Sequence, residues 1–323
     1  MNKKIKKLAA LAGAAAISCV LSASALAAEF IDMPNNWTTS AINNAVKNGL
    51  LYGEETADGM KVNPDANITR AQMAAIIVRA FGASKTTDIS MYIDAEPNAW
   101  YYTELSKAVA MGAFKGDGSK INPENNITFQ ECFTVMSQVL KMDIFTDMYT
   151  KDLSSFTDSD DVDSWAVPYV KAVVGRGYWD GIDSKLLPKQ YITRSQFAVL
   201  MDNIVKTYIN DPGEYKDFED GNVLVRSNGV QLKDANINGD LIIGDAVTDK
   251  EIKIDNSKVS GLLLIRGSEN VYLDNGTNVY KSILIVPNLT IYIDENSASQ
   301  KGGWVCHQDS NKVVITPKLV DAK

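Results

Sequence analysis

A unit that occurs three times between residues 28 and 208 is the feature that most constrains the fold of this 323-residue chain. Each copy has a tryptophan, apolar residues five and nine positions after it, and glycines twelve and sixteen positions after it. The registered sets are Trp37, Ile42, Val46, Gly49 and Gly53; Trp100, Leu105, Val109, Gly112 and Gly116; and Trp165, Val170, Val174, Gly177 and Gly181. A pattern shared by three copies indicates an internal repeat, in which each copy is one structural unit.

Two helices are predicted in each unit. The apolar residues after the tryptophan lie on one stripe of an amphipathic helix of about three turns, and the first glycine suits the left-handed position that ends such a helix. The second helix begins at a capping box, a threonine with Gln or Glu three residues later, flanked by the apolar residues of a hydrophobic staple. The three boxes are Thr69–Gln72, Thr128–Glu131 and Thr193–Gln196.

An arginine follows the capping threonine in the first and third copies, as Arg70 and Arg194, and Phe129 replaces it in the second. A cation in the first turn of a helix opposes the macrodipole and costs roughly a few tenths of a kcal/mol. Two explanations remain open. One is a salt bridge to a carboxylate of this acidic chain, and the other is an anion site where the guanidinium and free helix amides hold a carboxylate or phosphate.

The three tryptophans bear on that choice. Their flat apolar faces can stack on a sugar ring, so an arginine site near them favours an acidic polysaccharide as the ligand. At the start of a helix in a repeat, however, a tryptophan can equally be a buried core residue.

The N-terminal 27 residues are typical of a secretory signal. Four lysines precede an apolar run from Leu8 to Leu26, and an Ala-x-Ala site predicts cleavage after Ala27. A lipoprotein signal with Cys19 as the lipidated residue is the alternative. No run of about 18 apolar residues follows, so no membrane contact is expected once the signal is removed.

The net charge argues against a nucleic-acid partner. It is −8 at pH 7, and removal of the four signal lysines leaves 28 basic and 40 acidic residues, a charge of −12. Such a chain has no general positive field, so an anionic ligand has to be held by local basic groups.

No catalytic residue, cofactor or metal site is predicted. Cys132 falls on a core position of the repeat, and neither Cys306 nor the single histidine, His307, stands in a serine or cysteine motif. The run "DSDDVDS" at 158–164 lacks the glycine and the terminal glutamate of a calcium loop.

The unit "FIDMPNNW…GLLYG…NPDANITRAQ" and its two variants resemble the surface-layer homology (SLH) family, over about residues 28–208. The resemblance implies an all-α bundle of three repeats with pseudo-three-fold symmetry, divided at 28–84, 85–147 and 148–208. It also implies that grooves between the repeats bind secondary cell wall polysaccharide, often through pyruvate ketal groups on the sugars.

The resemblance implies carbohydrate-binding roles for eleven residues. Arg70 and Arg194 match the motif arginine. The other groove-lining positions are Asp32, Asp94, Asp158, Trp37, Trp100, Trp165, Gly53, Gly116 and Gly181. Because Phe129 departs from the motif, the groove of the second repeat is expected to bind weakly or not at all.

The last third of the chain is predicted to be a small all-β domain at 222–320, after a polar linker at 209–221. Short apolar strands and asparagine and glycine corners recur every 20 or 22 residues, as Ile237, Val259 and Val279 show. This period is typical of a short parallel β-solenoid of about four rungs, with a two-sheet sandwich as the alternative. Asp234, Asp255 and Asp274 fall at the corners, where turn formation explains them.

These patterns predict a secreted, non-catalytic protein of the bacterial cell wall or S-layer, which displays the β domain to a partner that the sequence does not identify. Two alternatives remain: an enzyme whose catalytic part is the C-terminal β domain, and a structural subunit of the S-layer lattice.

Overall fold

The computed structural model describes residues 30–299, 303–306 and 308–316. The predicted signal at 1–27 and His307 lie outside these residues. None of the helices in the described ranges is long and apolar enough to cross a lipid bilayer.

The region that holds the repeats contains six α-helices, two in each unit as predicted. They are α1 Thr39–Lys47, α2 Arg70–Phe81, α3 Tyr102–Ala110, α4 Phe129–Leu140, α5 Val167–Gly175 and α6 Arg194–Ile204. An antiparallel hairpin of β1 Glu54–Thr56 and β2 Gly59–Lys61 lies between α1 and α2, so the region is not purely helical. Three short 3₁₀ turns, at 146–148, 153–155 and 159–161, precede α5.

The helix boundaries follow the predicted local signals. In α2 the Thr69 hydroxyl accepts from the Gln72 amide and the Gln72 side chain accepts from the Thr69 amide, and α4 and α6 begin at the same reciprocal box. Left-handed glycines close the first helix of each unit, with φ of 68° at Gly49 and 76° at Gly112 and Gly177. Cys132 is fully buried, as its register predicted.

A closed ring of backbone hydrogen bonds joins the three units. The amide of Ile68 donates to the carbonyl of Ile192, Ile127 donates to Ile68, and Ile192 donates to Ile127, each over 3.1 Å. All three side chains are buried. Because each residue stands just before a capping threonine, the ring fixes the starts of α2, α4 and α6 against one another.

The C-terminal region is a parallel β-solenoid, as predicted, but it has about five turns where about four were expected. One sheet has the order β14-β12-β10-β8-β5-β3, with β7 and β15 also paired to it, and the other has the order β16-β13-β11-β9-β6-β4. Every pairing within these two sheets is parallel, which excludes the sandwich. The strands are β3 Thr207–Ile209, β4 Gly213–Tyr215, β5 Val223–Val225, β6 Val230–Lys233, β7 Asn236–Ile237, β8 Leu241–Ile243, β9 Glu251–Asp255, β10 Lys258–Ile265, β11 Asn270–Asp274, β12 Asn278–Leu284, β13 Thr290–Asp294, β14 Ala298–Ser299, β15 Trp304–Cys306 and β16 Lys312–Thr316.

The segment predicted as a linker, 209–221, is the first turn of this solenoid. Strand β3 pairs with β5 and strand β4 pairs with β6. The two strands are three residues long and have Pro212 and Gly213 at their junction, a composition that is more typical of a turn.

The solenoid packs directly on the helices. Leu224, Ile242, Leu264 and Ile283 lie in register on four neighbouring strands of the first sheet. They face outward from the solenoid and belong to the same buried cluster as the helix cores, whereas their inward neighbours form a separate cluster. Both faces of this sheet are therefore buried.

Side chains of the sheet cap the C-terminal ends of the helices. Arg226 donates to the carbonyls of Asn48 (2.6 Å) and Arg79 (3.2 Å) at the ends of α1 and α2. Arg266 donates to those of Met111 (3.0 Å) and Val139 (2.8 Å) at the ends of α3 and α4. These are carbonyls that a helix end tends to leave unpaired, and a cation there also favours the macrodipole.

The other two helices end at the sheet as well. The Asn222 amide donates to the carbonyl of Ile204 at the end of α6 (2.7 Å), and Arg176 at the end of α5 pairs with Asp240 (2.5 Å). Gly244 lies between Arg226 and Arg266, where a Cβ would approach the carbonyl of Phe81 to 2.9 Å. A glycine at that position lets the end of α2 rest on the sheet.

Arg266→Ala is expected to lower the free energy of unfolding by about 2–4 kcal/mol, because it leaves Asp245 and two helix-end carbonyls without their buried partner. Urea denaturation followed by circular dichroism measures it, and a single transition is expected since helices and sheet share one core. Lys253→Ala, on the exposed face of the other sheet, is the control and should change stability by less than about 0.5 kcal/mol. Wild-type stability of the Arg266 variant would contradict the capping role.

Candidate carbohydrate-binding site

The three predicted aspartates hold the loop that precedes the second helix of their own repeat. The carboxylate of Asp32 accepts from the amides of Val62 and Asn63, both at 2.8 Å. Asp94 accepts in the same way from Ile121 and Asn122, and Asp158 from Leu186 and Leu187. The second residue of each pair has positive φ, between 51° and 56°. Both carboxylate oxygens are thus engaged in shaping the loop.

The predicted glycines let an aromatic ring lie against the loop. A Cβ at Gly53, Gly116 or Gly181 would overlap the ring that stands two residues before the aspartate of the same repeat. These rings are Phe30, Tyr92 and Phe156. The glycines therefore act first through packing, and they bring the backbone close to the aspartate clamp.

Each arginine reaches from its own repeat to the loop of another. Arg194 donates through Nε to the carbonyl of Val62 (2.9 Å) and through Nη2 to that of Tyr52 (2.9 Å). Arg70 makes the equivalent contacts to Ile121 (2.9 Å) and Lys115 (3.1 Å). The arginine and the aspartate thus bind the same loop residue, one at its carbonyl and the other at its amide.

These carbonyls do not neutralise the guanidinium charge. The nearest paired carboxylate of Arg70 is Glu131, at a loose 3.8 Å. In the described ranges no carboxylate lies within 4.0 Å of the Arg194 guanidinium. Burial lowers the pKa of both arginines, and the neighbouring charge of Arg79 lowers that of Arg194 further, but a guanidinium remains protonated in proteins. A salt bridge therefore does not account for Arg194.

The expectation that the helix amides are free is wrong. The amides of Arg194 and Ser195 donate to the carbonyls of Ala66 and Pro64, both at 2.9 Å, and those of Arg70 and Ala71 are bound in the same way by the second repeat. The third amide of each helix donates to the capping threonine. At the start of each helix, only the arginine side chain therefore remains to bind an external anion.

The tryptophans lie on the surface, which excludes the alternative that they are core residues. Trp37 is 60% exposed, Trp100 is 64% exposed and Trp165 is 50% exposed. Large apolar rings that remain this exposed at the same position of three repeats are suited to contact an external ligand.

Trp100 lines an open cleft of about 400 Å³ between α2 and α3. The cleft also contains Arg79, Glu104 and Lys107, whereas Arg70 is not among its lining residues. Lys107 pairs with Glu104 at 2.8 Å. These three charged residues were not predicted, although the spacing of Glu104 and Lys107 after Trp100 puts them on one helix face.

Phe129 closes the equivalent position of the second repeat. Its ring is buried, with its centroid 5.2 Å from that of Trp179. Next to it, the Gln130 side chain donates to Asp163 (2.7 Å) and accepts from the Asp163 amide (3.0 Å). An apolar pair and an amide–carboxylate pair thus fill the seam between the second and third repeats, where the other two seams have an arginine.

In the described ranges no group of three or more His, Cys, Asp or Glu side chains could hold a metal ion. Each arginine site presents a partly buried guanidinium whose charge suits an anion, and exposed aromatic rings lie elsewhere on the repeats.

The S-layer homology domain family matches three segments of the chain, residues 29–74, 92–131 and 155–198. Each segment contains one aromatic-x-Asp motif, one exposed tryptophan and one capping box. The matches thus coincide with the three units of the structure.

Proteins of known name are similar to parts of this chain. The surface-layer 125 kDa protein of Lysinibacillus sphaericus is 28% identical over 212 residues, which are 64% of this chain and 17% of that protein. Cell surface glycoprotein 1 of Acetivibrio thermocellus is 31% identical over 174 residues, 49% of this chain and 7% of that protein. The amylopullulanase of Thermoanaerobacterium thermosulfurigenes is 25% identical over 178 residues, 53% of this chain and 9% of that protein.

The chain spans less than a fifth of the length of each of these relatives. The chain therefore contains three S-layer homology repeats, followed by a parallel β-solenoid.

Proposed function

We propose that this chain is a non-catalytic anchor, which binds an anionic secondary cell wall polysaccharide in the grooves at Arg70 and Arg194. S-layer homology domains bind cell wall polymers, and the chain is a secreted protein of the bacterial cell wall or S-layer. The observation that carries the proposal is the charge of Arg194, which has no carboxylate within 4.0 Å in the described ranges.

A carboxylate fixed to a sugar suits this charge. Loop carbonyls engage Nε and Nη2 of each arginine. Nη1 of Arg194 remains for an external acceptor, whereas Nη1 of Arg70 lies 3.8 Å from Glu131 and an anion there would compete with that loose pair. A pyruvate ketal would put a carboxylate directly on a sugar ring, where one guanidinium can bind it. An exposed tryptophan such as Trp100 can then contact another sugar of the polymer.

The other site residues have supporting roles in this proposal. Asp32 and Asp94 hold the loops whose carbonyls orient the arginines, and Gly53 and Gly116 let those loops pack closely. Asp158 and Gly181 do the same for the third loop, which faces Phe129 instead of an arginine. We therefore propose two binding grooves, formed by the repeats at 28–84, 85–147 and 148–208.

Two grooves on one rigid body raise the strength of attachment to a repeating polymer. Once one groove is occupied, the second binds at the high effective concentration that the polymer sets, a gain of about 10²–10⁴ when both can engage. This is the property that a stable non-covalent anchor needs.

The relatives support one further candidate, a wall-bound enzyme, because one of them is named as an amylopullulanase. In the solenoid the predicted corner aspartates are engaged as turn residues: the carboxylates of Asp234 and Asp255 accept from Asn256 (2.5 Å) and Asn275 (2.6 Å), and the backbone carbonyl of Asp274 accepts from the Thr277 hydroxyl (2.8 Å). We therefore propose that the solenoid is displayed rather than catalytic.

Arg70→Ala and Arg194→Ala are each expected to weaken binding to purified cell walls about tenfold or more, and the double variant is expected to bind almost none, because each change removes a charge-assisted hydrogen bond. Co-sedimentation with purified cell walls measures this affinity. Circular dichroism checks the fold, and Arg194→Lys, which keeps the charge, should retain part of the binding. Wild-type binding by a folded double variant would refute the grooves.

Chemical removal of the pyruvate ketals from the same walls tests whether the ketal carboxylate is the anionic group that the chain binds. The wild-type chain should lose binding to treated walls, whereas the residual binding of the double variant should not change. If treated walls bind the wild-type chain fully while the arginine variants still fail on untreated walls, the anion is a different one.

Phe129→Leu is expected to leave wall binding unchanged and to lower the free energy of unfolding by about 1–2 kcal/mol, because Phe129 packs on Trp179 in the core. The two quantities are measured by co-sedimentation and urea denaturation. A loss of wall affinity in a folded variant would show that the second seam also binds.

The full chain is expected to show no turnover on pectin-like polymers, starch, peptidoglycan or host glycans, as measured by release of reducing ends. Turnover that survives in the Arg70/Arg194 double variant would instead assign catalysis to the solenoid.

A further inference from the structure

Three arginines, each from a different part of the fold, bind alternate carbonyls of the segment 48–52. The pairs are Asn48 with Arg226 (2.6 Å), Leu50 with Arg79 (2.8 Å) and Tyr52 with Arg194 (2.9 Å). In the described ranges no carboxylate lies within 4.0 Å of any of these three guanidinium groups. A chain with a net charge of −8 therefore keeps three cations on one short segment without a close ion pair, which favours the binding of an anion there.

Arg79 is the member of this set with the fewest protein partners. It uses one nitrogen, Nη2, for a hydrogen bond, whereas Arg194 uses two nitrogens and Arg226 uses three. Its Nε is buried without an acceptor, and its Nη1 donates to none of the described residues. A buried donor without an acceptor is unfavourable, so this arginine needs an explanation beyond its contact to the segment.

The third repeat shows that the contact to the loop does not need a charge. Asn203 stands ten residues after its capping threonine, as Arg79 does. Its side-chain amide donates to the carbonyl of Tyr178 (3.1 Å), which corresponds to Leu50. The second repeat has Gln138 at the same position. Because a neutral amide can make the structural contact, that contact does not account for the charge of Arg79.

Arg79 also borders the open cleft of about 400 Å³ that Trp100 lines. The other charged lining residues are Lys107 and Glu104, so two cations face one carboxylate and the lining carries one net positive charge. An aromatic ring can stack on the apolar face of a sugar, and a guanidinium can bind an anionic group on the same sugar. The cleft thus offers both elements that an acidic sugar needs.

Tyr52 connects this cleft to the proposed groove of Arg194. Its ring centroid lies 4.7 Å from Cζ of Arg79, and its carbonyl accepts from Arg194. The Tyr52 side chain is exposed, so a ligand can pass over it. A polymer strand that is bound at Arg194 therefore meets Arg79 and then Trp100 as the next binding groups.

We propose that Arg79 and Trp100 form a subsite for a second acidic sugar of the strand that is bound at Arg194. The subsite rests on the proposed function, because it extends one of the two arginine grooves. The groove of Arg70 has no such extension, since Gln138 stands at the position that corresponds to Arg79. The two grooves are therefore unequal, and Arg194→Ala should weaken binding to cell walls more than Arg70→Ala does.

Co-sedimentation of the full chain with purified cell walls tests the subsite. Arg79→Asn, which copies the third repeat, and Trp100→Ala are each expected to lower the affinity about tenfold, with unchanged circular dichroism. Arg79→Lys keeps the charge and should retain part of the affinity. Lys171→Asn removes one positive charge from the exposed face of α5 and is the matched control, which should bind as the wild type does.

Fluorine NMR of a chain labelled with 5-fluorotryptophan locates the ligand. The Trp100 resonance, assigned with Trp100→Phe, is expected to shift when polysaccharide released from the same walls is added, and Arg79→Asn should reduce this shift.

Two kinds of result would overturn the subsite. Wild-type binding by a folded Arg79→Asn variant, an equal loss in Lys171→Asn, or an unchanged Trp100 resonance in a chain that binds the polysaccharide would each do so while the arginine grooves stand. Wild-type binding by the Arg70/Arg194 double variant would instead refute the proposed function, and the subsite with it.

Discussion

One loop residue in each arginine groove is held from two sides, and the relative placement of the repeats depends on it. Asp32 binds the amide of Val62 from within the first repeat, and Arg194 binds its carbonyl from the third. Asp94 and Arg70 hold Ile121 in the same way between the first and second repeats. The ring of isoleucine amides near the helix starts adds a second closed set of contacts. Local turn geometry and the assembly of the repeats are therefore coupled through single peptide units.

This arrangement explains how a cation is accommodated at an unfavourable helix start. The partners of the arginines are carbonyl dipoles of a neighbouring loop, which satisfy two donors and leave the net charge in place. The same side chain can therefore join two repeats and still attract an anion. Where Phe129 stands instead, its packing against Trp179 joins the repeats without an arginine, so the structural role is separable from the proposed binding role.

Much of the fold could be predicted from the sequence because its signals are local. Capping boxes, left-handed glycines and the solenoid period each depend on a few neighbouring residues, and all three are observed. The partners of the arginines could not be predicted, since they are backbone carbonyls of residues such as Val62, which lies 132 positions away from Arg194. Every residue has a backbone carbonyl, so the residue type does not indicate which carbonyl accepts the hydrogen bond. The aspartate clamps likewise bind amides that every residue except proline carries.

The packing of the solenoid on the helices has a signal in the sequence that is separate from the period of 20 or 22 residues. Strands such as Val223–Val225 and Leu241–Ile243 are apolar at every position, which is typical of a parallel sheet with both faces buried. The first turn lacks such a signal, because strands of three residues around Pro212 resemble a polar loop.

The contact between sheet and helices also has a mechanical consequence for a surface protein. When a polymer bound at the repeats opposes a force on the solenoid, the force acts on the contacts between the sheet and the helices. Arg226, Arg266 and Asn222 share it, since each is hydrogen-bonded to the end of a different helix or helix pair. Contacts loaded side by side share a force, whereas contacts loaded one after another fail at the weakest. The packing of the sheet on several helix ends thus suits a surface protein that is under tension.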